Sequence, residues 1–124
     1  MIYIKDITWV NKDINEAIVK LSDKTFDILC FSHPFNKKMG EIYDKPIYCL
    51  DIFNIKKAKN NNFFIEKKGN ELTYCISGKI NFILKDKKII SLGGFKIDIS
   101  DNDVPGDIQD NDFIELEVLR FDLY

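Results

Sequence analysis

The feature that most constrains this chain is a period-two alternation of apolar and polar residues, repeated in short runs and broken by clusters of Asn, Asp, Gly, Ser and Lys. Successive side chains of a pleated strand point to opposite faces, so a sequence written this way half-buries many short strands and specifies an all-β domain. The clearest runs are 25–32, 71–85, 88–99 and 113–123, with weaker ones at 3–10, 17–21, 46–53 and 63–67. Turn signals at Ser22-Asp23-Lys24, Asn60-Asn61-Asn62, Gly69-Asn70 and Asp86-Lys87 separate them at spacings that suit hairpins better than crossover helices. A chain of 124 residues with 45% hydrophobic content supports one core, so residues 1–124 are expected to form a single, mainly antiparallel β-barrel or sandwich.

Alternation also assigns faces. In the run 71–85, Leu72, Tyr74 and Ile76 are expected to point inward and Thr73 and Ser77 outward. Beyond Gly78 the frame continues with Ile80, Phe82 and Leu84 inward, and Lys79, Asn81 and Lys85 outward. A glycine inside so long a strand marks a bulge or sharp bend, and Gly93-Gly94 does the same between two further apolar runs. This rhythm of long, bent strands resembles the five-stranded oligonucleotide/oligosaccharide-binding (OB) barrel, with no sequence motif attached, and makes an OB-like barrel the leading expectation.

Two segments resist the all-strand reading. Ile14, Ala17, Ile18 and Leu21 follow i, i+3, i+4, i+7 behind a candidate N-cap at Asn11, which reads as a helix. The same residues also read as a strand 17–21 feeding a hairpin through Ser22-Asp23-Lys24. Residues 51–59 read as one short helix capped by Asp51, with Ile52 and Ile55 along one side, of the kind a barrel of this type carries between strands.

Charge is segregated along the chain. Through residue 97, seventeen lysines stand against eleven acids; from Asp98 onward, nine acids stand against Arg120 alone. The near-neutral total excludes a histone-like or polybasic role, while the acidic region 98–117 includes a long, turn-rich stretch with Val104-Pro105-Gly106 at its centre. Asp101, Asp103, Asp107, Asp110 and Asp112 are the candidate contact residues, since complementary charge on a displayed loop speeds association and selects a partner. The competing description is a solvated connector.

Chemistry-bearing motifs are sparse. Cys30, His33, Cys49 and Cys75 have the composition of a zinc site, but the close ligand pairs of a zinc knuckle are missing, and buried cysteines act as small hydrophobes. An EF-hand alignment over Asp101, Asp103 and Gly106 puts Pro105 at a ligand position, and the flanks read as strands. His33 is the lone histidine, without a nucleophile elbow, and Gly93-Gly94 lacks the pattern of a phosphate loop. No metal, no cofactor and no catalysis are therefore expected.

Three cysteines without a disulfide framework, and an N-terminus without a signal-peptide pattern, suit a cytoplasmic protein with no membrane partner. Abundant Lys, Asn and Ile, with Ala17 and Ala58 the only alanines, track AT-rich codons, a signature of genome rather than of function, and a bacterial protein is expected. The expected function is a non-catalytic protein-binding module, of the kind represented by toxin-neutralising immunity proteins and nuclease inhibitors, that meets a basic protein partner. The alternative is an OB-like single-stranded nucleic-acid-binding module. It would use Lys56, Lys57, Lys59, Lys67 and Lys68 around Phe63 and Phe64, with Lys79, Lys85, Lys87 and Lys88 on a second hairpin.

Overall fold

The structure is a computed structural model that describes every residue except Asn70 and Lys85. The turn expected at Gly69-Asn70 and the outward assignment of Lys85 thus lie partly or wholly outside the described residues. Eleven strands are present among those described: β1 (Tyr3–Asn11), β2 (Glu16–Ser22), β3 (Asp27–Ser32), β4 (Ile47–Cys49), β5 (Ile52–Lys57), β6 (Phe64–Lys68), β7 (Thr73–Ile83), β8 (Lys87–Leu92), β9 (Phe95–Asp98), β10 (Phe113–Val118) and β11 (Phe121–Leu123). They form one mixed sheet in the order β1-β2-β3-β11-β4-β9-β8-β7-β10-β5, with β6 added to β7. The sheet is not closed. The nearly all-β, mainly antiparallel class matches the alternation in the sequence, and the architecture is sandwich- or barrel-like. The more specific OB-like organisation finds no support.

Local chemistry settles the two ambiguous segments as strands. Asn11 does cap, its side chain accepting the Asp13 N–H at 3.1 Å, but the capped element is one 3₁₀ turn, Lys12–Ile14, ended by Asn15 at φ 56°. From there Ala17, Val19 and Leu21 of β2 are fully buried, a period-two pattern that replaces the helical reading. Segment 51–59 is likewise not a helix: β5 spans Ile52–Lys57, because pairing with β10 satisfies its backbone and gives it a neighbour to pack on.

Strand β7 is the hinge of the architecture. Along one edge its first half, Thr73–Ser77, pairs β6, and its second half, from Lys79, pairs β8. Its other edge pairs β10. The change of partner falls at Gly78, where a Cβ would stand 2.7 Å from both Ile90 Cγ2 and the Ser91 carbonyl oxygen. The glycine is thus where neighbouring backbone comes close enough for the strand to serve two partners.

The face assignment fails at Ser77, expected outward but 1% exposed, and again at the hairpin tip beyond Gly78. Ile80 is buried as expected, but Phe82 is 37% exposed and Leu84 is 90% exposed, at φ 57°. Here β7 has run past its last pairing with β10, Lys79 opposite Phe113, so the tip of the strand is flanked by β8 alone among the described strands.

The core gathers the inward faces of β2, β3, β8, β9 and β10 around Phe95 and Phe121. Tyr74 crosses the interior from β7: its ring lies 5.4 Å from that of Phe121, and its hydroxyl oxygen accepts the Leu29 N–H at 3.0 Å. The C-terminal strand β11 enters between β3 and β4, parallel to β3, and β4 in turn runs parallel to β9. These parallel contacts depart from the hairpin-only connectivity that the turn spacing suggests.

Candidate functional site

The acidic loop joins β9 to β10 and is tied down along its length. Ile99 is fully buried and Ile108 nearly so, and Val104 packs against the same core. Three turns close it, with the N–H groups of Asn102, Ile108 and Asp112 donated to the carbonyls of Ile99, Pro105 and Gln109. The loop is also bonded to the sheet. Ile99 donates its N–H to the Lys88 carbonyl at 3.0 Å, Ile80 donates to the Asp112 carbonyl at 2.9 Å, and Asn111 donates to the Ile80 carbonyl at 2.8 Å. The Lys88 ammonium donates to the Asn102 carbonyl.

The five candidate contact residues divide into two sets. Asp101, Asp103 and Asp107 are exposed and form no ion pair among the described residues. Asp110 and Asp112 hold the loop in place. Asp110 Oδ1 accepts the Phe82 N–H at 2.9 Å and the Asn81 side-chain amide at 3.3 Å, while Asp112 Oδ2 accepts the Gln109 N–H at 2.7 Å and lies 3.8 Å from Lys57 Nζ. Asp98 also turns inward on the chain, accepting the Ser100 N–H at 2.8 Å.

The remaining acids of the C-terminal fifth do not join a common face. Glu115 lies across from Lys56 in the β5–β10 ladder, and Glu117 meets Lys68 at 3.8 Å and the Asn54 side-chain amide at 2.7 Å. Asp122 is buried beneath Arg120, which grips it through Nε at 2.6 Å and Nη2 at 3.2 Å and stacks over Phe31 at 4.2 Å. Pairing β10 with β5 and β7 thus lays acids beside lysines that are remote in sequence, and the segregated charge partly interleaves.

The lysine and phenylalanine face is reduced by the same contacts. Lys57 and Lys68 are engaged by Asp112 and Glu117, and Phe63 leans on Phe113 at 5.3 Å although it stays 43% exposed. His33 is exposed at the end of β3, whereas Cys30 is sealed in the core, where burial pushes its thiol well up. No group of three or more His, Cys, Asp or Glu is placed to hold a metal among the described residues. Nor is any helix among them long and apolar enough to cross a membrane.

No family model, no curated protein and no solved structure matches this chain. Function rests on the site alone. One feature that reading along the chain missed is an apolar groove beside β8 and β9, assembled from segments too far apart in sequence to leave a local signal.

Proposed function

We propose that this chain is a non-catalytic protein-binding module of the immunity or inhibitor type, which docks on a basic protein partner through its 98–112 loop. Asp101, Asp103 and Asp107 make the contacts, and Asp110 and Asp112 keep the loop in its binding shape. The observation that carries this reading is the pairing of inward anchors, Ile99 and Ile108, with outward carboxylates on the same loop. A loop already ordered by core contacts loses little conformational freedom on binding. Three carboxylates displayed together raise the encounter rate with a cationic surface and disfavour an anionic one. A reducing cytoplasm suits the three unpaired thiols.

The test is a pull-down from native lysate at low salt, eluted by a salt step, with protein and nucleic acid both identified. The expected outcome is one basic protein, lost when Asp101, Asp103 and Asp107 are changed to lysine. An acidic or uncharged partner, or capture that ignores salt, removes the reading. Recovery of RNA or DNA insensitive to those changes replaces it with single-strand binding on the lysine and phenylalanine face.

A further inference from the structure

A groove of about 790 Å³ runs along the β8–β9 hairpin, bordered by the N-terminal residues and the segment 42–47. Its size falls in the range of small-molecule sites, which combine a mainly apolar wall with a few polar groups that fix orientation. The apolar wall comes from Ile2, Ile42, Pro46, Ile83 and Ile89. Ile42 and Ile83 are about half exposed, so this apolar surface faces solvent in the free chain.

The charged lining is asymmetric. Lys45, Lys87 and Lys96 border the groove together with Asp44 and Asp98. Asp98 spends one carboxylate oxygen on the Ser100 N–H, and none of these five charged groups has an ion-pair partner among the described residues, so three lysines against two aspartates leave the lining one net positive charge. Lys96 is held on this face by its bond to Ser91 Oγ at 2.8 Å. Ladder pairing sets Ile89 across from Asp98 and Ser91 across from Lys96, and Lys87 precedes Ile89 by two residues on the same face. Cations therefore flank an isoleucine floor, Lys87 and Lys96 lying two residues to either side of Ile89 and Asp98 in the ladder.

We propose that this groove binds one amphipathic carboxylate, its apolar chain laid over Ile83 and Ile89 and its head group held by Lys87 or Lys96. A free apolar chain gains from covering the isoleucines, and a carboxylate supplies the anion that the unpaired ammonium groups lack. The site shares none of its residues with the five loop aspartates and stands independently of the protein-binding reading.

Calorimetric titration with sodium dodecanoate below its micelle concentration tests the proposal, with dodecyltrimethylammonium chloride carrying the same tail on a cation and sodium acetate carrying the head without the tail. The expected result is saturable one-to-one binding of dodecanoate, at least about tenfold tighter than the ammonium amphiphile, with no binding of acetate. The Lys87→Glu, Lys96→Glu double variant weakens dodecanoate by about tenfold or more, and Ile83→Ser with Ile89→Ser does the same from the apolar side. Absence of saturable binding overturns the proposal. So does equal binding of the two amphiphiles, a result on the native chain that does not depend on how any variant folds. Affinity unchanged in both double variants, with native circular dichroism, places the ligand elsewhere and equally overturns it.

Discussion

Asp23 and Gly94, 71 residues apart, are joined by a hydrogen bond of 2.7 Å from the glycine N–H to Asp23 Oδ2. The other oxygen of that carboxylate accepts the N–H groups of Thr25 at 2.9 Å and Phe26 at 2.7 Å. One side chain thus shapes the β2–β3 turn and fastens it to the β8–β9 turn. Gly93, at φ 56°, leaves room for the contact, since a Cβ there would come within 2.6 Å of Asp23 Oδ2.

Replacing Asp23 by alanine removes the acceptor of three amides in two turns, and is expected to cost about 1.5–3 kcal/mol, the usual range for hydrogen bonds to a charged group. Urea unfolding that shows a lower midpoint at unchanged slope checks this. A loss under about 0.5 kcal/mol would mean that solvent replaces the carboxylate at both turns.

The same carboxylate gives a pH dependence of known sign. Burial pulls Asp23 upward, but the amides of Phe26, Gly94 and Thr25 outweigh it and hold the group below its ordinary 3.8. Its stabilisation is therefore complete above that ordinary value and is lost as pH falls through the lowered one. Asp27 is lowered too, first by its bond to Lys5, so the informative quantity is the stability difference between the native chain and Asp23→Asn. That difference should be flat from neutral pH to about pH 5 and shrink below about pH 4. A difference that grows on acidification contradicts the assignment.

Gly78→Ala is expected to destabilise by about 1–3 kcal/mol, because the new methyl meets Ile90 and a backbone carbonyl that cannot retreat without breaking the β7–β8 ladder. Gly106→Ala, with nothing within 4 Å of its Cβ, should stay within about 0.5 kcal/mol. Thermal unfolding of the pair side by side reads the contrast.

Tyr74→Phe removes the acceptor for the Leu29 N–H while keeping the ring packed near Phe121. The expected cost is about 1–2 kcal/mol, with faster amide exchange concentrated at Leu29. Exchange at Leu29 matching that of the native chain would show that the amide has another partner.

Within the acidic loop, stability should separate the framework residue from the exposed ones. Asp110→Ala frees the Phe82 N–H and the Asn81 amide, and is expected to cost about 1 kcal/mol or more, whereas Asp103→Ala stays within about 0.5 kcal/mol. Equal costs would mean that Asp110 does not hold the loop.

Residues 17–21 show what alternation carries and what competes with it. Ala17, Val19 and Leu21 satisfy a strand period while Ile14, Ala17, Ile18 and Leu21 satisfy a helical one, and the neighbours β1 and β3 decide in favour of the strand. Phe82 and Leu84 show the converse: the alternation runs on past the last residue of β7 that pairs with β10. The acidic loop is legible as a displayed segment from its turn residues, but the role of each aspartate is not. Asp110 meets β7 and Asp112 meets a lysine of β5, partners distant in sequence that only the folded sheet delivers.

By itself the sequence determined that the chain is built of many short strands, where its local hairpins turn, and that Gly78 falls inside one long strand. These follow from side-chain periodicity and turn chemistry, which act over a few residues. Tertiary structure alone decided the parallel insertion of β11, the sharing of β7 between β6 and β8, the interleaving of early lysines with late acids, and the groove over Ile83 and Ile89. Each depends on contacts between segments distant along the chain, where closure entropy and whole-sheet packing, rather than local preference, set which pairing is lowest in free energy.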